Sequence, residues 1–171
     1  VISQSGGLGV DIIRRGQERG LRFSGVMTVG NCADLGPSDL LAFYLADPHT
    51  TVIGLYVESI ADGRRFFETL RRAKGRKPVI ILKGGRTALG YAAAVSHTGA
   101  LAGQESAYNA AFRRGGVLRA ATSEEMFDQA RALAWCPLPK GRKVAVLTNA
   151  GGPGVTAADA LEALGLELAE L

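Results

Sequence analysis

Cysteine is scarce in this sequence. Cys32 and Cys136 are the only two, far apart in the chain, and neither stands in a metal-ligand or redox spacing. That excludes a disulfide framework and a zinc module, and it leaves two reduced thiols. Aromatic residues are also few, at 6%, and the basic residues are scattered among acidic ones to a net charge of +4. With no aromatic platform, no RNA-binding signature and no zinc-finger spacing, nucleic acid is not the expected partner. A mild positive charge suits an enzyme that handles phosphates or CoA. No apolar run approaches the roughly 20 residues that span a bilayer, and no signal-peptide pattern opens the chain. A cytoplasmic protein without a membrane partner is expected. The nucleotide fingerprints Gly-x-x-x-x-Gly-Lys-Ser/Thr and Gly-x-Gly-x-x-Gly are missing, as are a Gly-x-Ser-x-Gly elbow and a Ser-His-Asp order. There are only two histidines, His49 and His97, with no cysteine or second histidine near either, so no metal site is expected.

Glycine is abundant, with 23 residues among 171, and much of it is clustered in "SGGLG", "KGGR" and "AGGPG". Glycine where a strand turns into a helix lets backbone approach a ligand. The apolar pattern alternates regularly around these clusters. "VIS" reads as strand. A helix runs from Leu8 to about Arg19 and closes at Gly20. "FSGVMTVG" is strand. A helix capped by Ser38 or Asp39 runs to Ala46, before Pro48. "TVIGLYVE" is a strand ending at Glu58, and Asp62 opens a helix to Lys74. "PVIILK" is a fourth strand, followed by a long loop carrying His97 and a helix from about Gly103 to Arg114. "VLRA" is a short fifth strand, and "TSEEMFDQARALAW" is a helix capped by Thr122 or Ser123. Near-continuous apolar strands between amphipathic helices mean a parallel sheet covered on both faces. Five strands with five helices predict an α/β, flavodoxin-like, doubly wound parallel sheet over residues 1–135.

"CPLPKGRK" breaks the alternation, and 136–142 read as a linker. Residues 143–171 then repeat the theme: strand "VAVLTN", loop "AGGPG", helix from about Val155 to Leu164, strand "LELAEL". One βαβ unit cannot bury its own faces, so 143–171 are expected to be the start of a second, Rossmann-like domain. Because the first residues already read as strand, the sequence is expected to be part of a longer chain.

In a doubly wound fold, ligands bind beyond the carboxyl ends of the strands. Those ends carry Ser5, Gly6 and Gly7, then Asn31, Glu58, Lys83, and the loop with Ser96, His97, Thr98 and Gly99. The second unit adds Gly151 and Gly152. A helix start offers unpaired N–H groups and about half a positive charge, which favours phosphate. A glutamate ending an apolar strand can orient an imidazole. Each feature also has an ordinary account on its own: a loop histidine in water, a strand-end carboxylate bonded to a backbone amide, a solvated lysine, plain glycine turns, an asparagine satisfying turn amides, Cys32 as a buried apolar residue.

"SQSGGLG", "VGNCADLGPSDLLAFYLADPHTTVIGLYVESI", "LKGGRT" and "SHTGALAG", in this order, resemble the nucleoside-diphosphate-forming acyl-CoA synthetases, relatives of succinyl-CoA synthetase. The resemblance covers 1 to about 135 as their CoA-ligase domain, and "VAVLTNAGGPGVTAADALEALGLELAEL" is similar to the start of their next domain. It implies an acid–thiol ligase: carboxylate, CoA and ATP give acyl-CoA, ADP and phosphate through an acyl phosphate and a phosphohistidine. It matches His97 to the phosphorylated histidine and Glu58 to the glutamate that holds the imidazole. Ser5, Gly6 and Gly7 match one phosphate-facing helix start, and Gly151 and Gly152 the other. Asn31, Lys83, Ser96, Thr98 and Gly99 stand as supporting residues. It also implies CoA and ATP/ADP with Mg, bound mainly by CoA-binding and ATP-grasp domains outside this sequence, in the same chain or in a partner subunit. A small carboxylic acid substrate and an oligomeric full-length form belong to the same expectation. The fragment alone should be inactive and bind no cofactor tightly. One alternative is a regulatory domain of the same fold that senses CoA or acyl-CoA in a larger protein, such as a fused acetyltransferase. The other is an unrelated flavodoxin-like domain for a phosphorylated ligand. Two geometric expectations follow: His97 within direct or one-water reach of Glu58, and backbone amides from Ser5 to Leu8 forming an anion site that faces the His97 loop.

Overall fold

The computed structural model describes residues 1–98 and 105–170, with backbone only at His97 and Thr98. It divides into two compact units, Val1–Cys136 and Pro137–Leu171. In the first, the elements alternate as β1 (Ile2–Ser3), α1 (Gly6–Glu18), β2 (Met27–Thr28), α2 (Pro37–Ala46), β3 (Ile53–Val57), α3 (Gly63–Ala73) and β4 (Val79–Lys83). They continue with α4 (Ala88–Thr98), α5 (Glu105–Gly115), β5 (Leu118–Ala120) and α6 (Ser123–Trp135). The five strands form one sheet in the order β2-β1-β3-β4-β5. Every pairing is parallel. This is the flavodoxin-like order, and its topological switch point lies between β1 and β3.

The two-residue period of the strands sorts the core into two layers. Ile53, Leu55 and Val57 of β3 and Val79 and Ile81 of β4 pack with Leu41 and Tyr44 of α2, Phe66 and Leu70 of α3, and Phe112 of α5. Ile80 points the other way, to Ile12 of α1 and Met126 and Phe127 of α6. Each such side chain contributes about 1.5–3 kcal/mol by leaving water. With both faces covered, the strand sequences show no polar alternation. The helix starts are fixed by side-chain caps. Ser5 Oγ accepts from Leu8 N at 3.3 Å, Asp62 Oδ1 from Arg65 N at 2.9 Å, and Thr122 Oγ1 from Glu125 N at 3.1 Å.

Several expected boundaries move. α1 begins at Gly6, not Leu8, because Ser5 is its cap. α2 is capped at Gly36, whose N–H donates to Asp39 Oδ2 at 2.9 Å, while Ser38 is a buried helical position. β2 is two residues long rather than eight. The long loop after β4 is largely helix. "ALGYAAAVSHT" forms α4, so this unit has six helices among the described residues instead of five. Alanine is the best helix former, and Thr87 caps the run by accepting from Gly90 N at 3.1 Å.

The second unit holds β6 (Lys143–Val144), α7 (Gly151–Ala163) and β7 (Glu167–Leu168). β6 and β7 pair in parallel, Lys143 with Glu167 and Val144 with Leu168. α7 starts at Gly151, earlier than the expected Val155, and buries none of its residues.

Candidate active site

The switch point is built from the residue that ends β1. Gln4 continues the β1–β3 ladder by donating its N–H to Tyr56 O at 3.1 Å. Its side chain then spans three segments. Oε1 accepts from the N–H groups of Glu58 and of Ser59, the latter at 3.0 Å. Nε2 donates to Ser59 O at 2.9 Å and to Cys32 Sγ at 3.3 Å. Gln4 thus ties the ends of β1 and β3 to the turn after β2. The sequence places Gln4 at this strand end but assigns it no role, although a polar residue between a buried strand and a capped helix was the available signal.

The next residues open α1. Ser3 Oγ is buried and accepts from Ser5 N at 3.1 Å, and Ser5 Oγ takes Leu8 N. The N–H groups of Gly6 and Gly7 carry no hydrogen bond among the described residues, both residues are exposed, and a Cβ at either would meet nothing within 4 Å. These are two open donors at the positive end of a 13-residue helix, with space in front of them.

Glu58 follows β3 and is buried. Tyr56 lies two residues earlier, on the same face, and its hydroxyl donates to Glu58 Oε1 at 3.0 Å. Burial, then the Glu58 charge, push the phenol up to about 12. On the next strand, Val57 pairs with Lys83 and Gly84 N donates to Val57 O at 2.9 Å. Gly84 therefore stands beside the Tyr56–Glu58 pair. Gly85 has φ 68, in the left-handed region that favours glycine, and turns the chain toward α4.

Lys83 is only 3% exposed, which corrects the picture of a solvated strand-end charge. Its Nζ donates to Glu58 O at 2.7 Å and to Gly84 O, and lies 4.8 Å above the Tyr108 ring. Burial pushes the ammonium below the ordinary lysine value, Arg119 pushes the same way, and Glu105 and Glu58 oppose. Arg119 pairs with Glu105 at 2.6 Å. The lysine fastens the carboxyl ends of β3 and β4 from the α5 side.

Two ordinary accounts are corrected. Asn31 is exposed and its side chain bonds no turn amide among the described residues. Cys32 is half-buried with φ 57, held by the Gln4 amide rather than by apolar packing.

Ser96 is exposed near the end of α4, and the backbone is helical through His97 and Thr98. The side chains of His97 and Thr98, and all of Gly99, lie outside the described residues. So does the expected His97–Glu58 approach. Gly151 and Gly152 open α7 in the second unit, exposed, with nothing within 4 Å of an added Cβ. What the first unit brings to one edge is the open amides of Gly6 and Gly7, the Glu58 carboxylate with Tyr56, and the buried Lys83. Such an edge can hold a phosphate and orient an imidazole. Among the described residues no three His, Cys, Asp or Glu side chains stand together as metal ligands, and no helix is long and apolar enough to cross a membrane.

Residues 1–133 match the family described as the succinyl-CoA ligase like flavodoxin domain. The alpha subunit of acetate–CoA ligase (ADP-forming) II from Pyrococcus furiosus is 48% identical over 99% of this chain, which covers 37% of that subunit. The 4-hydroxybutyrate–CoA ligase (ADP-forming) of Nitrosopumilus maritimus is 35% identical over 100% of this chain and 25% of its own length. Among solved structures, the dinucleotide forming acetyl-coenzyme A synthetase 1 of Ca. Korarchaeum cryptofilum, in complex with phosphate and ADP, aligns with a TM-score of 0.92 and 43% identity. That alignment covers 99% of this chain and 37% of the solved one. The chain thus spans between a quarter and little more than a third of the length of such relatives.

Proposed function

The chain belongs to the family of succinyl-CoA ligase like flavodoxin domains, and from that premise we propose that it is the phosphohistidine-bearing part of an ADP-forming acyl-CoA synthetase. The observation that carries this reading is the switch-point edge, where open Gly6 and Gly7 amides and the buried Glu58 carboxylate follow neighbouring strands. His97 is the nucleophile. Its ring nitrogen forms a bond to the γ-phosphorus of ATP as the bond to the β–γ bridging oxygen breaks, and ADP leaves. The phosphoryl group then passes to the substrate carboxylate, and the histidine is restored. CoA thiolate attacks the acyl phosphate, giving acyl-CoA and phosphate. Glu58 holds the other ring nitrogen, fixing the tautomer and stabilising the positive charge that develops on the ring. The Gly6 and Gly7 amides receive phosphate oxygens at the α1 start. Gly151 and Gly152 give a second such start, and Asn31, Lys83, Ser96, Thr98 and Gly99 support the edge.

Residues 136–142 are the linker, and 143–171 open a second Rossmann-like domain, a reading supported by a lone βαβ unit whose helix buries nothing. CoA and ATP/ADP serve as substrates, together with a small carboxylic acid. CoA-binding and ATP-grasp domains complete the enzyme, in the same chain or in a partner subunit, within an oligomer in the cytoplasm. Magnesium comes with the nucleotide. The test uses the full-length protein and γ-labelled ATP. Label should enter an acid-labile, base-stable bond and be absent in His97→Asn. Acyl-CoA formation at the wild-type rate by His97→Asn would overturn the reading and favour a CoA-sensing regulatory role.

A further inference from the structure

Tyr56 does nothing in the scheme above, yet the structure fixes it with unusual care. Tyr56 and Glu58 are separated by one residue at the end of β3, so their side chains share a face. The phenol donates to Glu58 Oε1 at 3.0 Å. Gly84, just after the adjacent strand β4, leaves the space the hydroxyl occupies, since a Cβ there would stand 2.7 Å from Tyr56 Oη. The backbone of Glu58 is held independently. Its N–H goes to Gln4 Oε1, and its C=O accepts from Lys83 Nζ at 2.7 Å. Main chain and carboxylate are therefore anchored separately, and Tyr56 is an anchor on the carboxylate, at Oε1.

We propose that Tyr56 is a positioning residue for phosphoryl transfer at His97, acting through the Glu58 carboxylate. The proposal rests on the phosphohistidine reading. An imidazole has two nitrogens, and the one that meets a carboxylate keeps its proton while the other becomes the nucleophile. A carboxylate free to rotate offers its oxygens in several directions. A carboxylate pinned at Oε1 offers one arrangement. The phenol is well suited to this, because a tyrosine hydroxyl stays protonated, and so a donor, throughout the neutral range. A side chain that merely filled the core would need no hydroxyl at all, and phenylalanine would serve.

The experiment uses the full-length protein and γ-labelled ATP, comparing wild type, Tyr56→Phe, Glu58→Gln and the double variant, with thermal unfolding as the control for folding. Tyr56→Phe should phosphorylate about tenfold to a hundredfold more slowly, the usual loss for one hydrogen bond to a charged group, with unchanged apparent affinity for ATP. The ³¹P spectrum of the denatured phosphoprotein should gain a second resonance from phosphate on the other ring nitrogen. If the tyrosine acts through the glutamate, the double variant should be no slower than Glu58→Gln. Should Tyr56→Phe unfold, Gly84→Ala displaces the hydroxyl while keeping the phenol, and the same slowing is expected. Wild-type rates in Tyr56→Phe, or a fully multiplicative loss in the double variant, overturn the role of Tyr56 alone. A wild-type protein that takes up no label overturns the phosphohistidine reading, and this role with it.

Discussion

Gly84 faces the hydroxyl of Tyr56 so closely that a methyl group on it would lie 2.7 Å from Oη, with Cγ of Glu58 3.4 Å away. The contact joins β3 to the turn after β4 and leaves no room for a larger residue. Gly84→Ala should therefore overpack this corner and cost about 1–3 kcal/mol, read as a lower midpoint in chemical unfolding. Gly63→Ala, where an added Cβ meets nothing within 4 Å, is the control and should leave the midpoint near wild type. Equal midpoints for the two variants would contradict the packing.

If Glu58 orients the His97 ring as proposed, removing its charge should slow acyl-CoA formation without unfolding the protein. In the full-length protein, Glu58→Gln is expected to lower acyl-CoA formation by about a hundredfold to ten-thousandfold, the range for a positioned acid–base group. Ser96→Ala should cost far less, since an exposed hydroxyl can only help orient the segment. Steady-state rates on both variants check the order.

The anion site proposed at the start of α1 can be tested by deleting one donor. Gly6 is the first helical residue, Ser5 before it is extended at φ −108 and ψ 123, and a Cβ at Gly6 meets open space. Proline is well tolerated at such a position, and the preceding extended residue suits it. Gly6→Pro should leave α1 intact, by circular dichroism, yet weaken inorganic phosphate binding followed by amide shifts at Gly7 and Leu8. Unchanged phosphate shifts would count against this turn as the cradle.

Alkaline pH offers a view of Tyr56. Its phenol is raised from 10.0 to about 12 in the folded chain, by burial first and then by Glu58. Between those values the unfolded state loses the proton before the folded state does. The stabilisation from this group is fully present below pH 10 and is lost as pH rises toward 12. Wild type should therefore lose stability relative to Tyr56→Phe across that window. Parallel stability curves for the two proteins would show that the phenol is not held this way.

The helix that leads to His97 depends on Thr87. Its hydroxyl accepts from Gly90 N at 3.1 Å. Thr87→Ala should cost α4 about 1 kcal/mol, seen as faster hydrogen exchange at Gly90 while β3 and β4 keep their protection.

Local signals made much of this legible. "TVIGLYVE" and "PVIILK" are continuous apolar runs, and β3 and β4 lie within them. Asp62 and Thr122 cap helices where the sequence placed them. Helix α4 was missed because Ser, His, Thr and Gly at its end resemble a loop, while the alanine run and the Thr87 cap that favour helix stand earlier. The eight-residue reading of "FSGVMTVG" failed for a different reason: β2 is an edge strand, and only Met27 and Thr28 pair in register with the short β1.

The sequence by itself determined the parallel α/β class, the starts of α3 at Asp62 and α6 at Thr122, and the glycine turns that leave backbone donors open. These depend on a period of two or 3.6 residues and on capping within one turn, so they are written locally. Tertiary structure alone decided which strand ends become neighbours. Pairing β1 with β3 put Gln4 against Glu58, and pairing β3 with β4 put Gly84 against Tyr56 and buried Lys83 beneath the Glu58 carbonyl. Those contacts join residues tens of positions apart, and no local pattern records them, because a buried lysine and a solvated one are the same letter until the fold closes over one of them.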